Sequence, residues 1–205
     1  MGLFSWLRLH NKRNRGMREE LRKIKAVPEG VRMERLGGVL HHLCVEYAAG
    51  FVQEQLRRGK DSQFLELDKG RFFHEMLLLN YWLVDRVMGG RDKTLLNEIQ
   101  KQYLLSFHHL SGMEGPDDLT HLHERFAAFS DTWDDLTGHL DIFAEKFAQY
   151  LFAGEKNYHL PSVAFLVITH ATDMEQYVLD FKAICKELHI RTKPGKGVTT
   201  EGAQA

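Results

Sequence analysis

Twelve histidines are spread along this 205-residue chain, and histidine is both the commonest metal ligand and the usual general base near neutral pH. His42 and Glu46 stand four positions apart and His170 and Asp173 three, so each pair shares a face if its segment is helical. His74 and Glu75 are neighbours at the mouth of the most apolar stretch. Those six residues, His42, Glu46, His74, Glu75, His170 and Asp173, form the set that could hold iron, zinc or haem inside a helical bundle. Their spacing does not match the established helical sites. No Glu is followed three residues later by His within the body of the chain, as di-iron carboxylate bundles require, and no two histidines stand four apart.

A plainer reading gives most of these side chains structural work. His170 falls on an apolar stripe and reads as a core histidine. His41, His42, His108, His109, His121, His123, His139 and His159 read as helix-surface or helix-end positions. Glu75, Asn80 and Asp85 are more telling, because they interrupt the segment expected to be most enclosed. A buried carboxylate without a partner costs several kcal/mol or takes up a proton. With His74 and His170 they are therefore read as an internal polar network or pocket, its charge supplied by Arg71, Arg86 or an Arg from a neighbouring helix.

Nucleophilic chemistry finds little support. There is no Gly-x-Ser-x-Gly elbow, and Cys44 and Cys185 sit within apolar helical patterns as buried thiols. Gly195-Lys-Gly-Val-Thr-Thr lacks the upstream glycine of a phosphate loop and follows a helix instead of a strand. Asp131, Asp134, Asp135 and Asp141 read as a solvated acidic face. The chain leans away from enzyme classes, and no cofactor is required of it.

The elements that must position these residues are helices. From Leu119 the apolar residues Leu122, Phe126, Phe129, Trp133, Leu136, Leu140, Phe143, Phe147 and Tyr150 follow at alternating spacings of three and four, which is helical periodicity. A rod over 118–152 would be about 52 Å long, against about 43 Å for a compact domain of this size. Gly138 is its weak point, and because the stripe keeps its phase there, a bend near 138 or a protruding end is expected, without a reversal of direction. Similar stripes predict helices near 29–58, 68–88, 92–110 and 161–189, with a shorter one over 17–26. The 68–88 segment, apolar nearly all round, is expected to be central. Gly37, Gly38, Ala48, Ala49 and Gly50 would let a neighbour approach the 29–58 helix closely. Strand patterns are nearly absent. The fold class is all-α, a bundle of five or six mostly antiparallel helices.

Charge is uneven. Residues 1–25 carry eight basic side chains and two acidic ones, a balance of +6 within a chain of net charge −1. Leu3, Phe4, Trp6 and Leu7, beside Arg8, Lys12 and Arg13, resemble a short interfacial helix able to contact a membrane surface or an acidic partner. The apolar stretch is too short and precedes the charges, which does not fit a secretory signal. No segment is long and apolar enough to span a membrane. Residues 191–205 have no apolar period and are expected to be disordered. The chain thus divides into a basic-apolar arm over 1–16, a single bundle domain over 17–190 and a tail over 191–205. A cytoplasmic location, peripheral to the membrane if the arm docks, fits this pattern, while the near-neutral balance disfavours nucleic acid.

One segment, Glu114-Gly-Pro-Asp-Asp-Leu, is distantly similar to the interhelical motif of redox-enzyme maturation chaperones, which joins Glu-Pro and Asp-His. Glycine separates Glu114 from Pro116, and Asp118 stands in the position of the histidine. The similarity covers only these few residues and implies a chaperone-like binding role as an alternative. The main expectation is a non-enzymatic helical interaction protein, an adaptor or regulator, with a protein partner, a second copy of itself along 119–150, or an anionic membrane surface.

Overall fold

The computed structural model describes residues 3–89, 93–107, 119–133, 140–154 and 158–192, the side chains of 3–13, 107 and 140 excepted. Among the described residues it is all-helical, with seven α-helices packed against one another: α1 (Leu3–Lys25), α2 (Glu29–Arg57), α3 (Lys69–Met88), α4 (Thr94–Phe107), α5 (Thr120–Thr132), α6 (Leu140–Leu151) and α7 (Leu160–Glu187). A single 3-10 turn, Gly59–Asp61, links α2 towards α3.

The central helix is α3, as its all-round apolar sequence predicts. The Asp68 side chain caps it by accepting from the Arg71 backbone N–H at 2.8 Å, which satisfies one of the donors left open at a helix start. Every residue from His74 to Val84 is buried, with α2, α4, α5, α6 and α7 packed around them. Helix α2 lies antiparallel to α3, since Phe51 meets Phe72 and His41 meets Tyr81 at opposite ends. Not all packing is antiparallel, however. Asn80 meets His170 and Arg86 meets Glu175, so α7 runs in the same direction as α3.

Close approach between α2 and α4 depends on Gly37, where an added Cβ would fall 2.5 Å from the Glu98 Cβ. Gly38 and Gly50, by contrast, face open space.

The expected rod over 118–152 is corrected to a hairpin. Trp133 leaves helical geometry with φ −81° and ψ 109°. The chain then returns: Trp133 packs on Phe143 at 4.9 Å between ring centroids, Phe129 on Phe147 at 5.8 Å, and the Arg125 guanidinium lies 3.6 Å from the Tyr150 ring centre. In one continuous helix residues 125 and 150 would lie about 37 Å apart. The unbroken phase of the stripe did not require a straight rod, because two antiparallel helices that each turn the stripe inward show the same periodicity. Folding back buries both halves against α3, whereas a rod would have left one half exposed. Gly138 itself lies outside the described residues.

Helix α1 is also longer than the expected 17–26. It is continuous across the boundary drawn at 16, and Met17, Leu21 and Ile24 are buried against the bundle. Asn14 donates to Asp180 at 3.2 Å and Arg18 bonds Glu187 at 3.2 Å, so α1 runs parallel to α7. No described helix is long and apolar enough to cross a membrane.

Candidate functional site, a buried histidine and carboxylate cluster

Helix α3 carries two polar clusters, offset along its length by about 9 Å and turned to different sides. The first is charged. His74 is 4 % and Glu75 3 % exposed, and burial of an ionised carboxylate demands a partner. Arg125, from the first half of the hairpin, supplies it with two hydrogen bonds, Nε to Oε2 and Nη2 to Oε1, both 2.9 Å. Paired forks of this kind are the strongest arginine contacts. The outer face of the same guanidinium stacks on Tyr150 of α6, a cation–π contact that fixes its plane.

His74 joins Tyr103 of α4 through Nε2 at 2.7 Å, while the ring of His121 lies parallel to the His74 ring with centroids 5.4 Å apart. The His121 Nε2 is 3.9 Å from Glu75 Oε1. One donor atom each from His74, Glu75 and His121 falls within 4.8 Å of the other two. Burial lowers the pKa of His74 to about 4, with Glu75 opposing the shift and His121 and Arg125 adding to it. The ring is therefore uncharged at neutral pH. Because Arg125 engages both Glu75 oxygens, the cluster is poorly arranged for proton transfer and better arranged to offer lone pairs.

The second cluster is neutral and sealed. Asn80 donates through Nδ2 to the Cys44 carbonyl at 2.9 Å and its Oδ1 meets His170 Nε2 at 2.8 Å. Since Oδ1 can only accept, His170 must carry its proton on Nε2. Tyr47 and Phe51 enclose the ring with centroids 4.9 and 4.7 Å away, and burial lowers its pKa to about 3. Nearby, the Tyr81 hydroxyl meets His41 Nδ1 at 2.8 Å. Burial, helped by neighbouring His42, lowers the His41 pKa to about 4.

These positions revise several sequence expectations. The six-residue metal set does not assemble: His42 and Glu46 form a surface pair with side chains 72 % and 70 % exposed, His170 belongs to the sealed cluster, and Asp173 is exposed. Only His74 and Glu75 come together, and their third neighbour is His121, expected at the surface. Asp85 is not in the interior network, because it sits at the last turn of α3 and bonds Lys93 at 2.7 and 3.0 Å. Arg86 reaches Glu175 and the faces of Trp82 and Trp133 instead of an internal acid. The side chains of Leu3, Phe4, Trp6, Leu7, Arg8, Lys12 and Arg13 lie outside the described residues, as do His108, His109, His139, the segment Glu114 to Asp118 and the tail beyond 192.

His121, Arg125 and Tyr103 were missed as partners. His121 and Arg125 stand four apart and so share a face of α5 beside Leu122 and Phe126, which was a readable signal. Tyr103 lay on a core stripe, where its hydroxyl needed a partner.

The fold and this interior define an all-α bundle with buried polar clusters on both sides of a central helix. Among known proteins, no family model, no curated protein and no solved structure matches the chain.

Proposed function

We propose that this chain is a non-enzymatic helical interaction protein, an adaptor or regulator, that docks on an anionic membrane surface through the first half of α1. The observation that carries this reading is the continuity of α1 from Leu3 to Lys25 with its second half held in the bundle by Met17, Leu21 and Ile24. A basic-apolar segment attached to such an anchor is already helical, so binding does not have to order it from a free chain. In the sequence of that first half Leu3, Phe4, Trp6 and Leu7 stand beside Arg8, Lys12 and Arg13. Each basic residue near an anionic surface adds about 1 kcal/mol of attraction.

Helix α7, beside which α1 runs, supplies further contact area. Phe165 is 70 % exposed, and of the outward residues that follow it Thr169, Thr172, Gln176 and Leu179 are uncharged while Asp173 is acidic.

Vesicle flotation of the full chain tests the proposal. Vesicles containing phosphatidylserine should carry the protein to the top of the gradient, and neutral phosphatidylcholine vesicles should not. The double variant Phe4→Ala with Trp6→Ala, and separately Lys12→Glu with Arg13→Glu, should each remain at the bottom. Failure of the wild type to float, or flotation of both variants at the wild-type level, overturns the reading.

A further inference from the structure

The charged cluster at the first half of α3 has the parts of a metal site, including the outer partners that ligands normally need. A ligating histidine usually donates its second ring N–H to a fixed acceptor, and a ligating carboxylate is itself hydrogen-bonded. Here the Tyr103 hydroxyl sits 2.7 Å from His74 Nε2, which makes Nδ1 the ring nitrogen to face an ion. Arg125 holds Glu75 from the side of Oε2 through its Nε, leaving Oε1 shared between the Nη2 of Arg125 and the more distant His121. Two nitrogens and a carboxylate oxygen are the donor set of zinc and its first-row neighbours.

We infer that His74, Glu75 and His121 form a binding site for a divalent first-row transition metal, with zinc the natural occupant, tying α3 to α5. The three donor atoms lie within 4.8 Å of one another, whereas donors about 2.1 Å from a tetrahedral ion are about 3.4 Å apart. The required closure falls to His121, which lies in the first turn of α5 with its side chain 28 % exposed. Neither His74 nor Glu75 has such room. Metal binding exchanges the Arg125 Nη2 contact with Oε1 for a metal bond and keeps the Nε contact with Oε2, so the buried carboxylate is never without a partner. The arginine charge opposes the ion, so binding should be weaker than at a closed site of thiolates.

Zinc sulfate added to chelator-treated, full-length protein tests this by calorimetry and by thermal melting. Expected are one equivalent bound and a higher melting temperature. His121→Ala should keep its helical circular dichroism, and its melting in chelator should resemble that of the wild type. It should lose the zinc-dependent rise. Tyr103→Phe, which removes the hydroxyl that bonds His74, should weaken binding by about 10–100-fold. His42→Ala, at the surface pair most apt to bind zinc adventitiously, should bind as the wild type does. Absence of any zinc-dependent rise in the wild type overturns the inference, as does wild-type binding by His121→Ala or loss of binding in His42→Ala. Cobalt(II) gives a second readout: visible bands of a four- or five-coordinate ion should appear in the wild type and be absent in His121→Ala.

Discussion

The two polar clusters on α3 are built from similar side chains and have opposite character. At the first, a carboxylate and a guanidinium are drawn inside together, and two of the helices that supply its groups, α4 and α5, border segments outside the described residues. At the second, an amide, an imidazole and a backbone carbonyl satisfy one another within an aromatic enclosure. A neutral cluster of this kind contributes by leaving no donor or acceptor unmatched. The charged cluster is held by attraction that must offset a large desolvation cost, so its worth shows mainly when one partner is removed.

The sharpest way to break this comparison is Arg125→Ala. It strands Glu75 without its cation, and urea denaturation should show a loss of about 3–5 kcal/mol. Replacing both partners by apolar residues, Glu75→Met with Arg125→Leu, should recover much of that loss. If the single and double variants were equally unstable, the charge pair would not be the source of the effect.

Acid should select the opposite cluster. His170 is neutral in the folded chain with a pKa of about 3, below the usual value of about 6.5. The unfolded chain therefore binds the extra proton first as pH falls. The stabilisation from His170 is fully present above pH about 6.5 and is lost on acidification towards its folded pKa, amounting to roughly 3 kcal/mol by pH 4. His74 and His41 act in the same direction. Denaturation curves between pH 7 and 4 should fall steeply for the wild type and less steeply for His170→Phe, measured relative to its own value at pH 7.

Asn80→Ala should cost about 1–3 kcal/mol in chemical denaturation, because it leaves the buried His170 N–H unmatched and removes the second bond to the Cys44 carbonyl. The smallest effect is expected for Tyr103→Phe in metal-free protein. It removes one neutral hydrogen bond from His74 at a cost of about 1 kcal/mol, measurable as a modest drop in the denaturation midpoint. If Tyr103→Phe cost more than Asn80→Ala, the charged cluster would be the more tightly interlocked of the two.

Much of the architecture could be read locally. The apolar run Met76 to Val84 announced the enclosed helix, and the stripes through Leu36 to Phe51 and Val163 to Leu188 announced α2 and α7. The same stripes could not report the hairpin, because Phe129 and Phe147 occupy the same phase whether or not the chain turns between them. Of the charged cluster, His74 and Glu75 were legible as a buried polar pair on an apolar helix. Their partners were not, since the contact of Glu75 with Arg125 spans 50 positions and depends on how α5 is rotated against α3. His41 illustrates the same limit: one step from exposed His42, it turns inward to meet Tyr81.

By itself the amino-acid sequence determined that this protein is helical, where α2, α3, α4 and α7 lie within a few residues, and that α3 is enclosed. Side-chain periodicity acts over one or two turns, so it is encoded next to the residues it orders. The tertiary structure alone decided that α5 and α6 fold back on each other and that His121 and Arg125 close on Glu75, while His170 turns away to Asn80. Those choices rest on packing complementarity between segments far apart in the chain, where the energy depends on several helices at once and no local pattern records it.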